Sequence, residues 1–155
     1  MKLKSWEEVF KIVQDLKTSG EKIVFTNGCF DIIHAGHIKY LYEASKLGDI
    51  LIIGLNSDES VKKLKGKNRP INSELDRATV LKSLFMVNYV VIFQEDTPYK
   101  LIEHIKPDVL VKGGDWKPEE IVGSDIVTRN GGIVKSLTFK EGFSTTDLIE
   151  KIKKI

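Results

Sequence analysis

The stretch Lys22-Ile23-Val24-Phe25-Thr26-Asn27-Gly28-Cys29-Phe30-Asp31-Ile32-Ile33-His34-Ala35-Gly36-His37 decides the fold. Residues 22–26 form a short β-branched and aromatic run, which predicts a buried strand ended by Asn27 and Gly28. A helix is expected to begin near Gly36 and to run through Leu41 and Ala44 to Lys46, with Gly48 just beyond it. A strand that passes through such a loop into a helix N-terminus makes an anion site, because unpaired backbone N–H groups and the positive end of the helix dipole face one point. Gly28 and Gly36 would let phosphate oxygens come close to the backbone. His34 and His37 are three residues apart, so at the helix start their rings share a face and can reach the same phosphate.

Working outward, strand and helix alternate. Ser5 to Leu16 carries Trp6, Val9, Phe10, Val13 and Leu16 at helical spacing, with Ser5 as N-cap and Glu8 three residues on. Further strands are expected at 49–55, 89–93, 109–112 and 133–137, and further helices at 74–85, 98–105, 119–129 and 145–153. Continuous apolar strands separated by helices predict an α/β fold: one Rossmann-like, doubly wound, parallel five-stranded sheet with helices on both faces. In such sheets ligands bind at the carboxyl ends of the strands. One segment breaks the alternation. Residues 61–72 hold Lys62, Lys63, Lys65, Lys67 and Arg69 with Gly66 and Pro70, and are expected to be a mobile basic loop. The organisation expected is a single domain over 1–155 with an N-terminal helix in 1–20 and no internal repeat.

Composition narrows the function. A chain of 155 residues with 41% apolar and 30% charged residues suits one soluble domain. Lys plus Arg is 24 and Asp plus Glu is 22, a net +2, far from the basic balance of a dedicated nucleic-acid binder. The single cysteine, Cys29, excludes an intramolecular disulfide and a Cys-based zinc site. Apolar runs such as Ile50 to Leu55 fall far short of the roughly 20 residues that span a bilayer, and Met1 to Glu8 has no secretory apolar stretch. The expectation is a complete, cytoplasmic chain with no nucleic-acid or membrane partner.

Each candidate residue has an ordinary reading beside the functional one. His34 and His37 could cap a helix, or join Asp31 around a metal, although no third Cys or His lies close by. Cys29 reads as a small packed residue. Lys65, Lys67 and Arg69 form either a solvated basic turn or a lid over phosphates. Ser144, Thr145 and Thr146 open the last helix, where capping and phosphate binding use the same N-terminus. Asp58 and Asp115 follow strands, at positions where a ribose or sugar hydroxyl could be held, or are surface carboxylates. Trp116 stacks on a ligand or packs on Pro118. Arg77 reaches a phosphate or pairs with Glu74 or Asp76.

The run Gly28-Cys-Phe-Asp31-Ile-Ile-His34-Ala-Gly-His37 resembles the first signature of the HxGH nucleotidyltransferase superfamily. Within it, the chain from Phe25 to Ile149 is similar to the adenylyltransferase domain of the ADP-heptose synthesis enzyme. The matching features are Gly54-Leu-Asn56-Ser57-Asp58, Lys65-Gly66, Arg69-Pro70, Asp76-Arg77, Glu95-Asp-Thr-Pro98, Leu110-Val-Lys112-Gly113-Gly114-Asp115-Trp116 and Glu141-Gly142-Phe143-Ser144-Thr145-Thr146. The resemblance implies that His34 and His37, with Lys65 and Arg69, are catalytic and stabilise charge developing on a triphosphate. It implies nucleotide binding by the loop Asn27, Gly28, Cys29, Phe30, Asp31 and Gly36. Arg77, Lys112, Gly113 and the Ser144-Thr145-Thr146 segment are expected to join them. Asn56, Asp58, Asp115 and Trp116 are expected at the sugar phosphate. Many superfamily members carry Arg a few residues after Ser-Thr-x, whereas Asp147-Leu-Ile-Glu150 follows here, so Arg77 or Arg69 is expected to supply that contact.

The implied reaction transfers AMP from ATP to D-glycero-β-D-manno-heptose 1-phosphate, giving ADP-heptose for lipopolysaccharide core precursor synthesis. A sugar phosphate is already anionic, so attack on the α-phosphorus needs positioning and charge stabilisation more than a general base, which suits a site of His, Lys and Arg. Mg²⁺ is expected as a cofactor with ATP, bound mainly by the phosphates, and no protein metal ligand is assigned. A homo-oligomer and a separate heptose kinase upstream are also expected. Two other readings stand beside this one: a cytidylyltransferase or FAD-forming adenylyltransferase of the same superfamily, and a nucleotide-binding sensor without turnover.

Overall fold

The computed structural model describes residues 2–138 and 144–155. Glu141, Gly142 and Phe143 of the last motif lie outside the described residues. The chain begins with strand β1 (Leu3–Lys4) and helix α1 (Trp6–Thr18). The Ser5 hydroxyl accepts from Glu8 N, and the Glu8 carboxylate accepts from Ser5 N, closing the capping box that the sequence announces. Then follow β2 (Ile23–Gly28), α2 (Ala35–Ser45), β3 (Ile50–Asn56), α3 (Asp58–Lys65) and α4 (Glu74–Ser83). The second half runs β4 (Tyr89–Phe93), α5 (Tyr99–Ile105), β5 (Val109–Gly113), a 3₁₀ turn at Pro118–Glu120, α6 (Ser124–Arg129), β6 (Ile133–Leu137) and α7 (Thr145–Ile152).

The six strands form one fully parallel sheet in the order β1-β4-β3-β2-β5-β6. Both faces are covered, because alternate residues of each central strand are apolar. Val24, Leu51, Ile53, Leu55, Val90 and Val111 pack on one side with Leu41 and Ala44 of α2 and Leu81 of α4. Ile23, Phe25, Ile52, Val91 and Leu110 pack on the other with Val9 and Val13 of α1, Leu101 and Ile102 of α5, and Val127 of α6. No helix among the described residues is long and apolar enough to cross a membrane.

Two sequence expectations need correction. The sheet has six strands instead of five: Leu3 and Lys4 align with Val90 and Val91, and Trp6 Nε1 donates to the Ile92 carbonyl at 3.0 Å. A two-residue strand carries no readable period. The segment 61–72 is helical over its first five residues, since α3 extends to Lys65. Its N-cap is Ser57, whose hydroxyl accepts from Ser60 N, and Asp58 and Glu59 at the start with Lys62, Lys63 and Lys65 at the end suit the helix dipole. Smaller shifts follow the same logic: α4 stops at Ser83, and 119–129 divides into the 3₁₀ turn and a six-residue α6.

Strand order fixes where a ligand goes. From β2 the chain winds one way to β3 and β4, then crosses to the other side of β2 for β5 and β6. The crevice opens where the winding reverses, between the carboxyl ends of β2 and β5, at Gly28 and Gly113.

Candidate active site

A cavity of about 660 Å³ lies at that reversal. The β2–α2 loop contributes Asn27, Gly28, Cys29, Phe30 and Asp31, and the first turn of α2 contributes His37. Asn56 enters from the end of β3, Lys65 from the end of α3, Arg69 from the segment after it, Lys112 and Trp116 from the end of β5 and beyond, and Ser144, Thr145 and Thr146 from the start of α7. Thus one wall joins residues more than 100 positions apart in sequence.

The loop is held in an uncommon shape. Phe30 has φ 46°, in the left-handed region, and its ring is 6% exposed. Such a conformation in a bulky residue persists only when surrounding contacts fix it, and it concentrates at ligand sites. The ring lies over Gly28, where an added Cβ would sit 2.9 Å from Phe30 Cε2, so glycine is required there by close approach. Phe30 also meets the His37 ring at 5.4 Å between centroids.

His34 is the N-cap residue of α2, and its ring stacks on His37 with centroids 3.8 Å apart and planes 27° apart. Burial, and secondarily the neighbouring His34, push the pKa of His37 down to about 4, and burial lowers that of His34. Near neutral pH His37 is therefore an uncharged imidazole with one N–H donor and one acceptor nitrogen. Its Nδ1 is buried and has no hydrogen-bond partner among the described residues.

Positive charge converges on the same floor. The Cys29 thiol is pushed up by burial, while Lys65, Arg77, Arg69 and Lys112 all pull it down, so four cations act on one point at the tip of the loop. Burial lowers the Lys112 pKa, and Lys65 adds to that effect. Arg69 Nε donates to Asp31 Oδ2 at 2.7 Å. Burial alone would raise the Asp31 carboxyl; the backbone N–H groups of Asn72 and Ile71 and the Arg69 guanidinium outweigh it and hold the group below its ordinary value. Both Asp31 oxygens are therefore occupied by protein donors, and among the described residues no group of three His, Cys, Asp or Glu gathers as a metal-ligating set.

Of the expected residues, His34, Gly36, Asp58, Arg77, Gly113 and Asp115 do not line the cavity, and some that do are held by further contacts. His34 acts on the cavity through His37, and Gly36 is buried in the first turn of α2. The Gly113 carbonyl accepts from Trp116 Nε1 at 3.2 Å, which orients the indole. Asp115 is exposed and does not line the cavity. Ser144 caps α7, accepting from Asp147 N at 3.2 Å, while Thr145 Oγ1 donates to the Ile32 carbonyl. Asp58 is bound to Arg77 at 2.8 Å. Arg77 is 1% exposed and lies beneath the floor; its partner is Asp58, not Glu74 or Asp76. Of the two arginines considered for the contact missing after Ser-Thr-Thr, Arg69 is the one that faces the cavity.

The cavity also includes Leu64, Asp96, Thr97, Pro98, Glu120, Ile121 and Val122. Asp96 to Pro98 follow the carboxyl end of β4 after two intervening residues, within the run Glu95-Asp-Thr-Pro98 that the resemblance quotes without a site role, so the position rule applied to Asp58 and Asp115 also points to them. Glu120 ends the 3₁₀ turn, and Ile121 and Val122 sit in the break between it and α6, which periodicity reads as helix.

Comparison with known proteins agrees with this geometry. Residues 25–151 match the family described as cytidylyltransferase-like. Over 151 residues the chain is 57% identical to the bifunctional protein HldE of Nitratiruptor sp., covering 97% of this chain and 32% of that protein. It is 60% identical to HldE of Campylobacter concisus over 152 residues, 98% of this chain and 31% of that one. The chain thus spans about a third of the length of these curated relatives. Among solved structures, the lipopolysaccharide core biosynthesis protein of Thermoplasma volcanium is 32% identical, with a TM-score of 0.64 over 78% of this chain and 98% of its own. The pantoate-beta-alanine ligase of Francisella tularensis, complexed with beta-gamma ATP and beta-alanine, shares the fold at a TM-score of 0.63 and 16% identity, over 100% of this chain and 78% of its own. Strand order, the HxGH turn and the family match over most of the sequence lead to one statement: the chain belongs to the cytidylyltransferase-like family.

Proposed function

We propose that the protein is an adenylyltransferase that transfers AMP from ATP to D-glycero-β-D-manno-heptose 1-phosphate, forming ADP-heptose and releasing pyrophosphate for lipopolysaccharide core precursor synthesis. The observation that carries this reading is the convergence of His37, Lys65, Arg69 and Lys112 on one cavity at the sheet's reversal point. The high identity to HldE proteins over nearly the whole chain and the resemblance of its motifs favour the heptose phosphate as acceptor. In this reading a phosphate oxygen of the sugar forms the new bond to the α-phosphorus as the bond from that phosphorus to the β-phosphate bridging oxygen breaks. The attacking group is already an anion, so no residue need remove a proton. Lys65, Arg69 and Lys112 hold the triphosphate, and His37, backed by the stacked His34, donates an N–H to charge accumulating on the leaving pyrophosphate.

Mg²⁺ would be held mainly by the phosphate oxygens of ATP and would neutralise part of their charge, since Asp31 is committed to Arg69 and to the amides of residues 71 and 72. The loop from Asn27 to Asp31 with Gly36 shapes the nucleotide site, and Ser144 to Thr146 bring an α-helix N-terminus to the phosphates. Trp116 and Asn56 face the acceptor. A cytoplasmic setting, a homo-oligomer and a separate kinase that supplies heptose 1-phosphate complete the proposal.

The test is pyrophosphate release by the purified chain with Mg²⁺, the heptose phosphate and either ATP or CTP. Release that needs ATP and the sugar phosphate, with kcat reduced about a hundredfold in His37→Ala, is the expected result. Turnover with CTP alone would overturn the base, and ATP binding without turnover would favour the sensor.

A further inference from the structure

Beneath the cavity floor lies a polar assembly that the reaction as proposed does not use. Arg77 is 1% exposed, and each of its three guanidinium nitrogens has a different acceptor: Nε donates to the Asn72 carbonyl at 3.1 Å, Nη1 to the Cys29 carbonyl at 2.6 Å and Nη2 to Asp58 Oδ1 at 2.8 Å. These acceptors belong to three separate pieces of chain: the segment before α4, the loop after β2 and the first turn of α3. Asp31 is the reciprocal anchor. Its carboxylate accepts from Arg69 Nε and the amides of Ile71 and Asn72, and its carbonyl accepts from Asn72 Nδ2 at 2.8 Å. Asn72 is shared, so the two anchors interlock.

Geometry gives this assembly a purpose. Between the anchors, Lys65 and Arg69 each bring a cation to the cavity, and only Gly66 to Asn68 separate the two. Asp58 sets the start of α3 and hence where Lys65 emerges, while Asp31 sets Arg69. The Cys29 carbonyl precedes Phe30, whose φ of 46° needs an external hold. A planar guanidinium can satisfy three acceptors at fixed angles, which an ammonium cannot.

We propose that Arg77 is a positioning residue: bound to Cys29, Asn72 and Asp58, it locks the β2–α2 loop to the Lys65–Arg69 arm and acts on the reaction through Lys65 and Arg69, without touching the nucleotide. The kinetic part rests on the adenylyltransferase reading; the structural part does not. Two variants test it, Arg77→Lys and, because a buried arginine can be needed for folding, Asp58→Ala, which leaves the carbonyl contacts in place. Hydrogen exchange of the ligand-free protein is read first. Faster exchange over 66–72 in Arg77→Lys, and over 58–65 in Asp58→Ala, is expected, and unchanged exchange in both overturns the proposal whatever the activity. Kinetics then separate positioning from plain structural loss. Asp58→Ala should lower kcat/KM on the order of tenfold in the native background and less than about threefold when Lys65→Ala is already present, since the two act as one unit. An equal loss in both backgrounds, in protein that remains folded, would mean Arg77 and Asp58 do not act through Lys65. Absence of turnover in the unsubstituted protein would overturn the adenylyltransferase reading alone and leave the exchange result to decide this one.

Discussion

His37 combines three properties that pull against one another: a ring in contact with Phe30, a second imidazole stacked on it, and a buried Nδ1. A cationic His37 would lie 3.8 Å between ring centroids from His34 in a poorly solvated corner, which is why its pKa falls to about 4 from 6.5. The sign of the consequence is fixed by linkage. Between about pH 6.5 and 4 the unfolded chain binds a proton at this position and the folded chain does not, so stability falls as pH falls through that window. One pKa unit corresponds to about 1.4 kcal/mol, and partial solvation of the half-buried ring leaves on the order of 2 kcal/mol. His34 acts in the same direction. Asp31, whose pKa is lowered, loses its contribution only as pH falls below its ordinary value of 3.8, a separate window. Urea unfolding midpoints at pH 7.5, 5.5 and 4.5 should therefore drop less for His37→Gln than for the unsubstituted protein; parallel curves would remove His37 from the account.

Elements were legible where apolar spacing is dense. Trp6, Val9 and Val13 with the Ser5–Glu8 box announce α1, and the runs at 23–26, 50–55 and 109–111 announce buried strands. Helix α3 was hidden because only Val61 is a buried apolar residue in its eight residues and its lysines mimic a solvated loop. Its helicity comes from the Ser57 cap and from tertiary ties that sequence spacing does not display: Asp58 to Arg77, and Ser60 Oγ to the Glu95 carbonyl at 3.1 Å. The resemblance sets Arg77 among the nucleotide-binding residues, and spacing does not reveal its burial, since a charged helical residue is exposed by default and its acceptors lie 5, 19 and 48 positions away. The cavity's location and His37 at its edge, by contrast, follow from the strand–loop–helix order. At this scale the arm after α3 makes a prediction. Residues 62–68 are exposed and contain Lys62, Lys63, Lys65 and Lys67, whereas 69–72 are tied to Asp31. If Lys65 engages a triphosphate, Mg²⁺-ATP should slow trypsin cleavage after Lys65 and Lys67 several-fold, and adenosine should not. Equal rates with and without ATP would count against closure.

For the molecule as a whole, charge is distributed far less evenly than a formal +2 suggests. Many surface cations are neutralised locally, as in the pairs Lys4–Glu8, Lys39–Glu43, Lys62–Glu59 and Lys153–Glu150. Lys65 and Lys112 face the cavity without a carboxylate in salt-bridge range among the described residues, whereas Arg77 beneath it is paired with Asp58. A nearly neutral protein thus places two lysines at one end of its sheet, in a cavity whose other charged lining residues are Arg69 paired with Asp31, Asp96 paired with Lys63, and Glu120, with low-dielectric walls formed by Leu64, Pro98 and Ile121. Raising monovalent salt from about 0.05 to 0.5 M shortens the screening length from roughly 14 to 4 Å. ATP affinity measured by calorimetry should then weaken about tenfold, with adenosine nearly unaffected, and Lys65→Ala should flatten the ATP slope because it removes one member of the cluster. Matching slopes for ATP and adenosine would assign the salt effect to the fold instead of the field, since only the phosphates distinguish the two ligands.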